Sequence, residues 1–222
     1  MKTLSSKIAY IIVSLALLSC SQAEASFIEH QLKSKEQHNQ EKVQKDNRRR
    51  AVQDFLRSFI QRAITQSTNK IQNHILRLHK GGIEKISTTS FGNRNYYSLF
   101  NENQINSVQA FQNKAIELLN QTQLINYNGA NQNNRIKIIL NSSSELGRYF
   151  TQEDYNHALN MQNTGHPENP LQAGQPGMKL VLILQSSENI YNELQNMVKG
   201  NRRIPQSANG FTPTIVTAFL EQ

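Results

Sequence analysis

The chain has no tryptophan and one cysteine among 222 residues, and only 37% of it is hydrophobic. Without tryptophan, a core has to be assembled from Leu, Ile, Val and Phe, and it will be modest in size. With Cys20 alone, an internal disulfide is excluded and the fold cannot depend on one. A cysteine nucleophile is excluded as well once a leader containing Cys20 is removed. The G-x-S-x-G elbow of serine hydrolases is missing, as are a Walker loop, a dinucleotide fingerprint and the H-E-x-x-H spacing of zinc proteases. Acidic residues are also in deficit, with 16 Asp and Glu against 24 Lys and Arg, a net charge of +8 and a pI near 9.6.

What is present begins with a leader. Lys2 and Lys7 flank the start of the apolar run "IAYIIVSLALL", and small residues follow in "SCSQAEAS". That order is a secretory signal, with cleavage after Ala25 in the A-x-A pattern of Ala23, Glu24 and Ala25. The run is too short to be a comfortable permanent span. A competing reading takes "LLSC" as a lipoprotein box ending at Cys20, which Leu18 weakens by its bulk. Removing residues 1–25 leaves 22 basic against 15 acidic residues, so the positive balance belongs to the mature chain. It fits a polyanionic partner, RNA or an anionic membrane, as well as it fits simple solubility.

Residues 26–50 carry mixed charge with few apolar positions and read as a solvated helix or a mobile tether. From residue 51 the pattern tightens. Val52, Phe55, Leu56, Phe59, Ile60, Ala63 and Ile64 recur at three and four residues, the stripe of an amphipathic helix. A second helical stretch with Ile71, Ile75 and Leu78 runs to Gly81 and Gly82, a C-cap signal. "IEKISTTSFGNRNYYSLF" reads as strand and loop, "NENQINSVQAFQNKAIELLNQTQ" as helix with Ile105, Val108, Ala115, Leu118 and Leu119 inward, "SSSELGRYFTQ" as turn then short strand, and "NRIKIIL", "MKLVLIL" and "TPTIVTAFL" as strands. Residues 157–177 read as a long loop, and 186–210 as an inserted short helix and loop. There is no internal repeat. The expected fold is α+β, N-terminal helices followed by a small, mainly antiparallel sheet, in one domain over residues 51–222.

Two histidines stand out in "NHILRLHKGG". His74 and His79 are five residues apart, about 140° around an α-helix, so on a regular helix they diverge and a shared metal site is disfavoured. His79, beside the glycines at a frayed end, reads as the exposed candidate; the plain alternative is a surface histidine capping a helix. His74 lies between Ile71 and Ile75 and reads as partly structural. His157 and His166 read as surface. The chemistry left open needs one base, cations and hydroxyls. RNA cleavage is such a chemistry, because the 2′-hydroxyl is the nucleophile and neither metal nor cofactor is required.

The order of segments from about residue 73 onward resembles the ribonuclease A-like toxin domain at the C-terminal tips of bacterial contact-dependent inhibition proteins. The resemblance is carried by "NHILRLHKGG", "SLFNENQINSVQAFQNKA", "RIKIILNSSSELGRYF", "MKLVLIL" and the terminal "GFTPTIVTAFLEQ", about two-thirds of the chain. It implies a ribonuclease A-like α+β fold and an active site of a histidine, an arginine shortly after it, and a threonine with an aromatic residue on the last strand. Carried over, these are His79, Arg94, Thr217 and Phe219, with His74 as the second-choice histidine. The arginine position expected from spacing holds Ser90, Arg94 lies four residues further, and Lys85 is the fallback. Where the family often has tyrosine, Phe219 can only pack or stack. Thr217 and Phe219, two apart on a strand, should share a face.

The resulting expectation is an exported, metal-independent ribonuclease of toxin type, secreted or periplasmic. It would act on single-stranded RNA or tRNA, leave a 2′,3′-cyclic phosphate and be neutralised by an immunity protein. The alternative is a non-enzymatic envelope lipoprotein held at the outer membrane through Cys20, serving as a binding or assembly module. A third option is a basic RNA- or membrane-binding module with a degenerate nuclease fold.

Overall fold

The computed structural model describes residues 3–92, 94–130, 135–185, 190–200 and 211–222, with side chains from Phe27 onward except Ile28 and Ala130. The leader side chains, Cys20 among them, lie outside this set, as do residues 186–189 and 201–210 of the expected insert. The chain divides into two compact units, Met1–Arg49 and Arg50–Gln222. The first is helical, and its described side chains are nearly all exposed. Local pairs one turn apart decorate it, Lys33 to Glu29 at 2.7 Å and Arg48 to Gln44 at 3.3 Å. Of the two expectations for residues 26–50, the solvated helix is the one observed. Among the described residues, no helix is long and apolar enough to cross a membrane.

The second unit is α+β with antiparallel sheets. Its helices are the end of α1 (Thr3–Gln66), the short turns α2 (Thr68–Lys70), α3 (Arg77–His79) and α4 (Thr88–Phe91), and then α5 (Val108–Gln121), α6 (Gln152–Asn163) and α7 (Ile190–Val198). The strands are β1 (Tyr96–Phe100), β2 (Asn126–Ala130), β3 (Arg135–Asn141), β4 (Gly147–Thr151), β5 (Gln175–Gly177), β6 (Lys179–Gln185) and β7 (Thr214–Glu221). They form two antiparallel sheets, of order β1-β4-β5 and β2-β3-β6-β7.

The alternation of the strands decides which face is core. Ile136, Ile138 and Leu140 of β3 and Leu180, Leu182 and Leu184 of β6 point to one face and are fully buried. On β7 the alternation would fail without an irregularity. Ile183 pairs with Thr217 but Leu184 pairs with Ile215, so Val216 is the extra residue of a bulge. The bulge keeps Ile215, Ala218 and Leu220 on the core face and turns Thr217, Phe219 and Glu221 outward. The predicted helical stripe closes the core: Val52, Leu56, Phe59, Ile60, Ala63 and Ile64 are each at most 1% exposed. Arg57 from this stretch donates to the carbonyls of Leu119 and Thr122 at the end of α5, a cation on the negative end of a helix.

The two sheets meet where β1 runs beside β7. There the hydroxyl of Ser98 accepts the amide hydrogen of Leu220 at 3.1 Å, in place of a main-chain ladder. The cross-strand pair Gly147 and Gly177 leaves room for Leu220; a Cβ on either glycine would sit 2.8 Å from the leucine side chain. Gly147 also has φ +152°, a conformation that side chains rarely adopt. A second, smaller core of Ile83, Ile86, Phe91, Tyr97, Leu99, Phe150, Tyr155 and Ala158 lies under α6.

One expectation fails here. The stretch expected as a loop from residue 157 onward begins inside α6, which starts with a capping box. Thr151 accepts from the amide of Asp154 at 3.1 Å, and the Asp154 carboxylate accepts from the Thr151 amide at 3.0 Å. Tyr155, Ala158 and Met161 form its buried face. A 3-10 turn over Pro170–Ala173 and β5 account for half of the remainder.

Candidate functional site

The site starts from a defect in a helix. α1 stops at Gln66, and Ser67 holds the break, its hydroxyl accepting the Ile215 amide hydrogen at 2.7 Å. The chain resumes as α2 and then widens into a π-helix over Ile71–Leu76 before α3 closes it. Ile71, Ile75 and Leu76 are all buried in the main core.

A charge on His74 disfavours a charge on His79. Arg94, exposed at the turn before β1, depresses the pKa of both. The same guanidinium acts on Tyr96 and Tyr97.

His79 differs from its expected state. It is 2% exposed, not frayed into solvent. Its ring stacks on Tyr97 at 5.2 Å and tilts against Phe100 at 5.8 Å. Nδ1 lies 2.7 Å from the carbonyl oxygen of Ser98, an acceptor only, so that nitrogen carries the proton and Nε2 keeps its lone pair. Burial is the first cause lowering its pKa to about 4; the carbonyl bond works the other way, and Arg94 and His74 add to the lowering. Position 79 follows Ile75 by four residues and Ile71 by eight, the spacing of one buried helical stripe, which is why the ring lies inside. His74 is half-buried, and its pKa is lowered first by burial and then by Lys70, Arg77 and Arg94.

The other candidates lie on the outer face of β7. Thr217 and Phe219 do share it, as expected. Phe219 meets Tyr96 at 5.9 Å, and Tyr96 meets Tyr149 edge-on at 6.2 Å. The Tyr96 hydroxyl donates to Glu221 at 3.2 Å, and Lys137 pairs with the same carboxylate at 2.8 Å. Burial, then the Glu221 charge and hydrogen bond, push the Tyr96 pKa up to about 12. Thr217 stands two residues before Phe219 and makes no hydrogen bond to these groups among the described residues.

Ser90, at the spacing where the resembled family places its arginine, instead closes a capping box with Ser87 at the start of α4. Lys85 lines a separate cleft with Gln72, Arg77 and Lys80. His157 and His166 are exposed. No group of three or more His, Cys, Asp or Glu that could hold a metal occurs among the described residues.

Sequence reasoning did not single out Tyr96, Ser98, Lys137 or Glu221. Strand alternation could have found two of them. Glu221 shares parity with Thr217 and Phe219, and Lys137 alternates against Ile136 and Ile138. No local signal marks Tyr96 or Ser98. Comparison with known proteins adds nothing to the geometry: no family model, no curated protein and no solved structure matches the chain.

Proposed function

We propose that the chain is a metal-independent endoribonuclease of toxin type, cleaving single-stranded RNA or tRNA by attack of the 2′-hydroxyl on the adjacent phosphorus. The observation that carries the reading is an exposed cation, Arg94, in the turn before β1, whose charge lowers the pKa of both His74 and His79. A cation for the charge on a phosphorane and a neutral imidazole for the hydroxyl proton are the two groups this reaction needs. His74, half-exposed and favoured in its neutral form, takes the 2′-hydroxyl proton and returns it to the departing 5′-oxygen. The products are a 2′,3′-cyclic phosphate and a 5′-hydroxyl. Thr217 holds a non-bridging oxygen, and Tyr96 and Phe219 offer aromatic faces to a base. His79, neutral and fixed to Ser98, is a positioning residue on this assignment, which moves the proton transfer from the histidine named by resemblance to its neighbour.

The test is incubation of the purified protein with single-stranded RNA and tRNA, with and without chelator. Cyclic-phosphate fragments that form equally in both support the reading. His74→Ala should lose about 10²–10⁴-fold in rate with little change in Tm. His79→Ala should lower Tm and shift the pH profile of whatever activity survives. RNA left intact at stoichiometric protein sinks the proposal. The burial of His79, with its pKa near 4, favours a second reading in which the same surface binds RNA without turnover. It would appear as steeply salt-dependent binding and no cleavage. Export through the 1–25 leader would separate such an enzyme from its maker's RNA, and an immunity protein would serve the same end. Palmitate labelling at Cys20 would place the chain among envelope lipoproteins instead.

A further inference from the structure

A cleft of about 390 Å³ lies where the α1–α2 break faces the end of the four-stranded sheet. One wall is Gln66, Asn69 and Lys70; the other is Arg135, Thr214 and the bulged Val216. Arg135 on β3 pairs across to Gln185 on β6, which pairs with Thr214 on β7, so the second wall is one row across the sheet. The Nε of Arg135 is buried and has no hydrogen-bond partner among the described residues. A buried, permanently charged donor left unpaired is costly, and native structures seldom keep one without a ligand or water to satisfy it. Lys70, exposed on the facing wall, makes the cleft doubly cationic, while its other side chains are amides, hydroxyls and apolar groups with no carboxylate. A metal cation or a basic peptide would find no counter-charge there. An oxyanion would find two cations and neutral donors.

We infer that this cleft is a phosphate-binding subsite that holds the RNA backbone one or more nucleotides away from the point of cleavage. The inference rests on the ribonuclease reading for its substrate but on Arg135, Lys70 and the cleft for its location. Connectivity supports it. Lys70 directly precedes the π turn that carries His74, and Val216 directly precedes Thr217, so each wall of the cleft adjoins in sequence a segment bearing a residue of the proposed site. The arrangement gives the bulge a second role. Besides resetting the side-chain alternation of β7, it puts Val216 into the cleft wall between Thr214 and Thr217.

The experiment separates binding from cleavage. A fluorescein-labelled, fully 2′-O-methylated oligoribonucleotide, which lacks the attacking hydroxyl, is titrated with wild type, Arg135→Gln, Lys70→Gln and the double variant at several salt concentrations. Lys199→Gln, a change at an exposed cation on the C-terminal side of α7, serves as control. Each cleft variant should bind several-fold more weakly and lower the salt slope by about 0.7 per lost phosphate contact, with the control unchanged. Inorganic phosphate should compete with the oligonucleotide on wild type and not on the double variant. If free phosphate binds and the oligonucleotide does not, the ligand is a small oxyanion and the backbone assignment fails. Unchanged affinity and slope in folded Lys70→Gln and Arg135→Gln overturn the subsite. Wild type that binds through these residues but does not cut unmodified RNA leaves the subsite standing and fells the ribonuclease reading. Cleavage with an unaltered KM in the double variant does the reverse.

Discussion

Acidification should weaken the fold through one residue, His79. Its ring is 2% exposed and lies against Tyr97 and Phe100, and burial lowers its pKa from the ordinary 6.5 to about 4. In the unfolded chain the ring is hydrated and binds a proton near pH 6.5; in the folded chain it resists one. Stability is therefore complete above pH 6.5 and is lost as the pH falls from 6.5 towards 4. At roughly 1.4 kcal/mol per pKa unit, the whole effect is on the order of 3 kcal/mol, and between pH 7 and pH 5 about 2 kcal/mol. His74, with its pKa lowered as well, contributes in the same direction, and carboxylates titrate over part of the same range. The difference between wild type and His79→Gln isolates the one group. Urea unfolding at pH 7 and pH 5 should show the variant less stable at both, with the wild-type advantage shrinking by about 2 kcal/mol at pH 5. Parallel losses in the two proteins would mean that His79 is protonated as easily in the fold as outside it, and the burial argument would be wrong.

Three further outcomes can be checked. Gly147→Ala should cost roughly 2–4 kcal/mol, read as a fall in urea midpoint, because the new Cβ meets the Leu99 carbonyl and the Leu220 side chain in a strained backbone conformation. Ser98→Ala removes the acceptor for the Leu220 amide and a neighbour of His79; a loss of about 1–3 kcal/mol and faster exchange of the Leu220 amide are expected. Glu221→Gln takes away the charge that helps hold the Tyr96 hydroxyl protonated, so its NMR titration midpoint should fall below about 12 while burial keeps it above the ordinary 10.

The parts of the fold legible in the sequence are those that repeat a rule. The stripe from Val52 to Ile64 is pure 3.6 periodicity; six of its seven positions are buried, and Phe55 is half-buried against them. "RIKIIL" and "KLVLIL" announce β3 and β6 by alternation or sustained apolar content. What misled the reading was punctuation. In "NHALNMQNTGHPENPLQAGQPG" the glycines and prolines crowd the second half, and their loop signal was extended backward over residues that form α6. Thr151 and Asp154, at capping-box spacing, were the local evidence for a helix start, and Tyr155, Ala158 and Met161 for its buried face.

His79 differs from its sequence expectation for a different reason. A histidine beside two glycines reads as exposed, yet position 79 follows Ile75 by four residues and Ile71 by eight, the spacing of one buried helical stripe. Burial of that stripe carries the ring inward onto Tyr97 and Phe100. Nothing in "IQNHIL" declares the π turn itself. The bulge at Val216 follows the same logic on the facing strand, where keeping Ile215 and Leu220 inside forces one residue out of register. Apolar burial therefore sets the polar residues of the site on both segments: the stripe of Ile71 and Ile75 carries His79 inward, and the bulge aims Thr217 and Phe219 outward. Leu76→Gln places an amide in the same core. A loss of about 2–4 kcal/mol in urea unfolding is expected, and an unchanged midpoint would show that Leu76 is not packed there.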